Sequence, residues 1–127
     1  MGNLSFYKLR WPSIVMKEDC IFCKIIKGDI PSEKVLENED FVVIGDTNPR
    51  TKGHSLIIIK EHYENFLDIP RGLYEKLLIT AKEAAEKLGA KNFNLVVNNG
   101  KDSGQLVSHF HMHIIPRKKD DGFKVYV

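Results

Sequence analysis

The chain has 127 residues, a length that suits one domain able to bury a core without disulfides. Its 19 basic and 17 acidic residues leave a net charge of +2, too balanced to point to nucleic acid as a partner. No apolar stretch approaches the length that spans a bilayer, so no membrane partner is expected.

Residues 1–15 carry Lys8 and Arg10 but no apolar run and no small-residue cleavage site. They read as an extension rather than a secretion signal, ahead of a folded domain over 16–127, with Met16 as an alternative start. The expected location is cytoplasmic. Cys20 and Cys23 follow in a C-x-x-C spacing, which in an intracellular chain is a metal or redox pair before it is a structural disulfide. No βαβ pattern surrounds the pair, so the metal reading leads if other ligands exist.

Phe22, Ile25 and Ile26 give a short helix ended by Gly28 and Pro31. Two short strands, Val35–Glu37 and Phe41–Ile44, flank the polar turn Asn38–Asp40. Asp46–Gly53 has loop chemistry, and Ser55–Ile59 reads as a buried central strand. Leu73, Leu77, Leu78, Ala81, Ala84, Ala85 and Leu88 predict one long amphipathic helix stopped at Gly89. Phe93–Val97 is the next strand and Asn98–Gly104 a polar loop. His109–Ile115 is the last core strand, stopped by Pro116. This order points to an α+β layer with an antiparallel sheet, one face covered by helix and the other left for a site or a partner.

The strongest signal is His109-Phe110-His111-Met112-His113-Ile114-Ile115, which holds three of the five histidines. On a strand, alternate side chains share a face, so the imidazoles line one surface while Phe110, Met112 and Ile114 enter the core. Same-face neighbours sit about 6.5–7 Å apart, so one phosphate can meet two imidazoles. A neutral imidazole can act as a nucleophile and a protonated one as a donor. For such attack at Nε2, the Nδ1 of His111 should donate to a fixed acceptor, expected to be a backbone carbonyl. Upstream, Asn98 and Gln105 offer amide hydrogens, and Gly104 lets backbone N–H groups approach an anion. A strand that binds only metal is the main rival reading.

These residues together resemble the histidine-triad (HIT) family. The likeness rests on HFHMHII, the preceding VVNNGKDSGQLVS, the run Gly53-His54-Ser55-Leu56-Ile57-Ile58 with Lys60 and His62, and Cys20-Ile21-Phe22-Cys23-Lys24-Ile25-Ile26 leading to Ile30-Pro31. It covers about residues 18–121. The resemblance implies an α+β fold with a five-stranded antiparallel sheet, one long and one short helix, and a homodimer paired through the long helix and strand edges. It implies hydrolysis of a phosphorus bond on a purine nucleotide, a phosphoramidate or related adenylate, through a nucleotidyl-histidine intermediate on His111. Dinucleoside polyphosphate hydrolysis, or a nucleotide-binding scaffold with negligible turnover, stays open as an alternative. His113 would contact phosphate or leaving-group oxygens, and His109 and His54 complete the catalytic set. Asn98, Gly104, Gln105 and Leu106 match phosphate-contacting positions, and Ile21, Phe22, Ile25, Ile44, Asp46 and Thr47 match the nucleoside pocket. For the apolar members, plain core is as good a reading as base contact. Leu106 stands where many members carry Ser or Thr, so a hydroxyl near the phosphate is missing; Ile59 stands where Pro is frequent. Some members hold zinc at the positions of Cys20, Cys23, His62 and His109. Two thiolates with two imidazoles are a preferred tetrahedral set, so a structural zinc is expected here.

Overall fold

A computed structural model describes residues 17–125; the extension read over residues 1–15 lies outside them. The elements in chain order are α1 (Ile21–Lys27), β1 (Lys34–Glu37), β2 (Phe41–Gly45), β3 (Ser55–Ile59), α2 (Tyr74–Leu88), β4 (Phe93–Val96) and β5 (His111–Pro116). The strands form one antiparallel sheet in the order β1-β2-β3-β5-β4. Among the described residues, the expected α+β architecture, with five strands, a long helix and a short one, is the observed one.

Period-two alternation sorts the sheet into two apolar faces. Phe41, Val43, Ile57, Ile59, Phe110, Met112 and Ile114 pack against Leu77, Ala81, Ala84 and Ala85 of α2. Val42, Ile44, Leu56 and Ile58 pack against Phe22 of α1. The second face, expected to be left for a site or a partner, carries the imidazoles of β5 and is covered in part by α1. This explains why β2 is buried over four consecutive residues and β3 over all five.

Both helices end as the sequence indicates. Gly28 (φ 89°) and Gly89 (φ 68°) take left-handed conformations that cap the last carbonyls, a geometry that disfavours other residues. Leu73 belongs to a 3-10 turn (Arg71–Leu73) rather than to α2. The Asn38 side chain closes the β1–β2 turn, accepting from the amides of Asp40 and Phe41 while its own amide donates to Thr80 on α2.

The last strand begins later than its alternation implies. Pairing of β3 with β5 stops at Ile58↔His111. His109 and Phe110 lie before the strand, where the Phe110 amide donates to the Tyr63 carbonyl. The ladder ends there because the carbonyl of Ile59 is taken by the His109 imidazole, at 2.7 Å from Nε2.

Ile57 has no solvent exposure, whereas Leu67 is 83% exposed. Ile57→Ala should cost about 3 kcal/mol of unfolding free energy, and Leu67→Ala less than about 0.5 kcal/mol. Urea unfolding with matched m-values checks both; equal effects would contradict this core assignment.

Candidate active site and metal centre

The imidazoles of His111 and His113 lie side by side on the α1 face, with ring centroids 5.2 Å apart. Their cross-strand partners, Ile58 and Leu56, fix that face. Phe22 packs edge-on against His111 and His109, at 5.0 and 5.7 Å. All three imidazoles thus share a side, although His109 sits outside the strand.

The Nδ1 of His111 lies 2.8 Å from the carbonyl oxygen of His109. A carbonyl only accepts, so Nδ1 carries the proton and Nε2 keeps its lone pair. Burial lowers the His111 pKa from its ordinary value, partly offset by this carbonyl and by Asp46. Burial also drives His113 down, to about 4, helped by His111 and His54. Both rings are therefore neutral at pH 7.

His54, buried at the start of β3, reaches across to His113, with 2.9 Å between its Nε2 and Nδ1 of His113. The Arg50 amide donates to Nδ1 of His54 at 3.0 Å. Asp46 ends its strand in a turn, one carboxylate oxygen accepting from the Asn48 amide and the other 3.4 Å from Nε2 of His54. Thr47 beside it is exposed.

Some expected ligand contacts are differently employed. Phe22 and Ile44 are buried core side chains, Ile25 is packed against the same cluster, and Ile21 is 48% exposed. The Gln105 amide does not point its hydrogens outward. Its Nε2 donates to the carbonyls of Glu64 and Val107, and its Oε1 accepts from the Gly100 amide. The amide of Gly104 is likewise committed, to the Lys101 carbonyl. Both residues brace the loop after β4, because that loop must satisfy its own backbone groups. Leu106 is 95% exposed. Asn98 lies two residues beyond Val96, the last residue of β4 and the partner of His113.

A second cluster lies behind His109. Its Nδ1 is 3.3 Å from Cys20 Sγ, 3.5 Å from Cys23 Sγ and 3.0 Å from His62 Nδ1, and Cys23 Sγ is 3.4 Å from the same His62 nitrogen. All four ligand atoms lie within 4.8 Å of one another. Ligand bonds of about 2.0–2.3 Å at tetrahedral angles separate donor atoms by about 3.3–3.8 Å, close to this set. Donation from His109 Nε2 to Ile59 leaves Nδ1 bare toward the cluster, the arrangement typical of a metal-bound imidazole. The amides of Lys17 and Cys23 point at Cys23 and Cys20 sulfurs, as suits thiolates. Burial pushes the Cys23 thiol up to about 11, a cost that a bound cation would offset. The residues present can hold a metal ion.

Arg50 and Ile59 act here through backbone groups, which no residue type in the sequence announces, and His54 is recognisable only through the family resemblance.

The family model described as HIT domain matches residues 27–120. The chain is 38% identical over 102 residues to an adenosine 5′-monophosphoramidase of Schizosaccharomyces pombe, covering 80% of this chain and 77% of that one. It is 42% identical over 113 residues to an adenylylsulfatase of Arabidopsis thaliana, covering 86% of this chain and 57% of the longer relative. Among solved structures, a zinc-bound histidine triad family protein from Mycobacterium smegmatis superposes with a TM-score of 0.75 at 34% identity, over 84% of this chain and 80% of that chain.

The depressed pKa of His113 has a consequence for stability. Below its ordinary value of 6.5, the unfolded imidazole takes a proton that the folded one refuses down to about 4. Its contribution is complete above pH 6.5 and is lost as pH falls across that window. The melting temperature should fall from pH 7 toward 4.5, and less steeply in His113→Asn. An identical slope in the variant would refute the assignment.

Proposed function

Since the chain belongs to the HIT-domain family, we propose that it hydrolyses a phosphorus bond on a purine nucleotide, with His111 as nucleophile. The observation that carries this reading is the His111 Nδ1 contact with the His109 carbonyl, which leaves Nε2 as a lone pair. Nε2 attacks the α-phosphorus, the bond to the leaving group breaks, and a nucleotidyl-histidine forms. Water then attacks the same phosphorus, releasing nucleoside monophosphate and restoring His111. His113 hydrogen-bonds the phosphate or leaving group, and Asn98 contacts phosphate from the adjoining strand end. Asp46 accepts the ribose hydroxyls, with Thr47, Ile21 and Ile25 near the nucleoside. A phosphoramidate or related adenylate is the favoured substrate, supported by the names of the relatives above.

Cys20, Cys23, His62 and His109 would hold a structural zinc, pinning α1 to the sheet. With four protein ligands it would leave no position for substrate. Two free thiols at this site suit a reducing, cytoplasmic compartment. A homodimer is proposed through the edge strand β4, whose Phe93 and Leu95 are 38% and 42% exposed, and through Leu78 and Ile79 of α2, 60% and 48% exposed.

Nucleoside monophosphate release should be measured on adenosine 5′-phosphoramidate and on diadenosine polyphosphates. His111→Ala should lower kcat by at least about a thousandfold while still binding monophosphate. A variant that keeps a tenth of parent activity would remove His111 as nucleophile, and a parent that binds monophosphate without turnover would favour the scaffold reading. Untagged protein should carry about one equivalent of zinc by atomic absorption, and Cys23→Ser far less. Less than about a tenth of an equivalent in the parent would end the zinc proposal. Light scattering should give twice the chain mass; a single chain mass would remove the dimer.

A further inference from the structure

The two neighbouring imidazoles of β5 are chemically identical but have different partners at Nδ1. That of His111 meets a carbonyl. That of His113 meets Nε2 of His54 at 2.9 Å, and the distance alone does not say which nitrogen donates.

The other side of His54 decides the direction. Its Nδ1 faces the backbone N–H of Arg50 at 3.0 Å, and a backbone N–H can only donate. Nδ1 of His54 is therefore an acceptor without a proton, and the proton of the neutral ring sits on Nε2. The carboxylate of Asp46, 3.4 Å from that same Nε2, favours the same form. Burial lowers the His54 pKa from its ordinary value, which keeps the ring neutral. His54 then donates from Nε2, so Nδ1 of His113 must accept. A neutral His113 has one proton left to carry, and it lies on Nε2.

We propose that His54 is a positioning residue that relays the direction of the Arg50 amide to His113. It fixes His113 as the Nε2–H tautomer beside a His111 whose Nε2 is bare. The row thereby offers a lone pair and a hydrogen-bond donor on adjacent rings without either ring being charged. The order of donors is Arg50 N–H to His54, His54 Nε2–H to His113, and His113 Nε2–H to a phosphate or leaving-group atom.

The loop that supplies the Arg50 amide is held on both sides. The His54 amide donates to the Thr51 carbonyl, and the Thr51 hydroxyl donates to the Pro116 carbonyl at 2.7 Å, at the far end of β5. Gly53 (φ 90°) lets the loop pass close over Pro116, whose ring would lie 3.2 Å from a Cβ at that position. The loop is thus tied to the strand that it polarises.

Asp46, His54 and His113 also satisfy the proximity expected of a metal site. The relay excludes that use at neutral pH. A metal on Nε2 of His54 would move the proton of the neutral ring to Nδ1, where it would meet the Arg50 N–H donor against donor. The contrast with His109, whose remote nitrogen faces the Ile59 carbonyl, is direct.

The use of this donor in turnover rests on the proposed hydrolase reading; the tautomers themselves do not. The test is a long-range proton–nitrogen correlation spectrum of the imidazoles in the ligand-free protein at neutral pH. His113 and His54 should be protonated at Nε2 and His111 at Nδ1. His54→Asn keeps an acceptor for the Arg50 amide but cannot reach His113, so the Nδ1–H form of His113 should appear and kcat should fall about a hundredfold with little change in KM. His54→Gln carries an amide donor out to the position of Nε2, so it should keep the parent tautomer and stay within about tenfold of parent kcat. His113 protonated at Nδ1 in the parent would overturn the proposal. So would a His113 tautomer unchanged in His54→Asn, or a His54→Gln protein indistinguishable from it. A parent without turnover would defeat the hydrolase reading alone, and the spectra would still decide the relay.

Discussion

Burying Phe110, Met112 and Ile114 beneath α2 leaves the alternating residues of this segment only the opposite face of the sheet. That constraint organises the rest of the molecule. A strand cannot turn its apolar set inward without turning its imidazoles outward together, and a one-residue slip would exchange the two sets. The long helix, which contributes no side chain to the site, therefore determines where the site is. On the other face α1 stays short, so Phe22 covers the upper end of the row without sealing it.

Residue 109 joins the two functional clusters. Its Nδ1 faces the cysteines and His62, its Nε2 holds the Ile59 carbonyl, and its own carbonyl holds His111. Whatever anchors the His109 ring also anchors the acceptor that sets the His111 tautomer, and α1 enters the same network through Cys20 and Cys23. Had residue 109 continued the β-ladder, the Ile59 carbonyl would have been spent on pairing. Ending the strand at His111 is thus part of how the row is arranged.

The elements were legible in the sequence because their signals are repeated. The helical spacing from Leu77 to Leu88, the β-branched run Ser55–Ile59 and the alternation through Ile114 each recur over several residues. The four possible metal ligands were legible as a set only through the family resemblance, since His62 lies far from Cys20 in the chain. Single contacts were not legible. Gln105 has the composition of a phosphate contact, yet its amide is spent on three backbone groups because the loop after β4 needs them. Arg50 would be read from its guanidinium, whereas the group that meets His54 is its amide. Every residue but proline has that amide, so no residue type announces it.

Identical side chains can divide the work of one site when the groups that meet them differ. Histidine has two nitrogens and, when neutral, one proton, so each ring is either bare or donating at its free end. Desolvation keeps the rings of His111 and His113 neutral, which removes charge as a means of distinguishing them. What remains is the group that meets Nδ1. At His111 it is a carbonyl two residues upstream, available because the chain has already left the ladder. At His113 it is a second imidazole, oriented by an amide in a loop fastened to the end of the same strand. Backbone groups hold their direction as long as the fold does, so the division persists without a charged partner whose own protonation would have to be maintained.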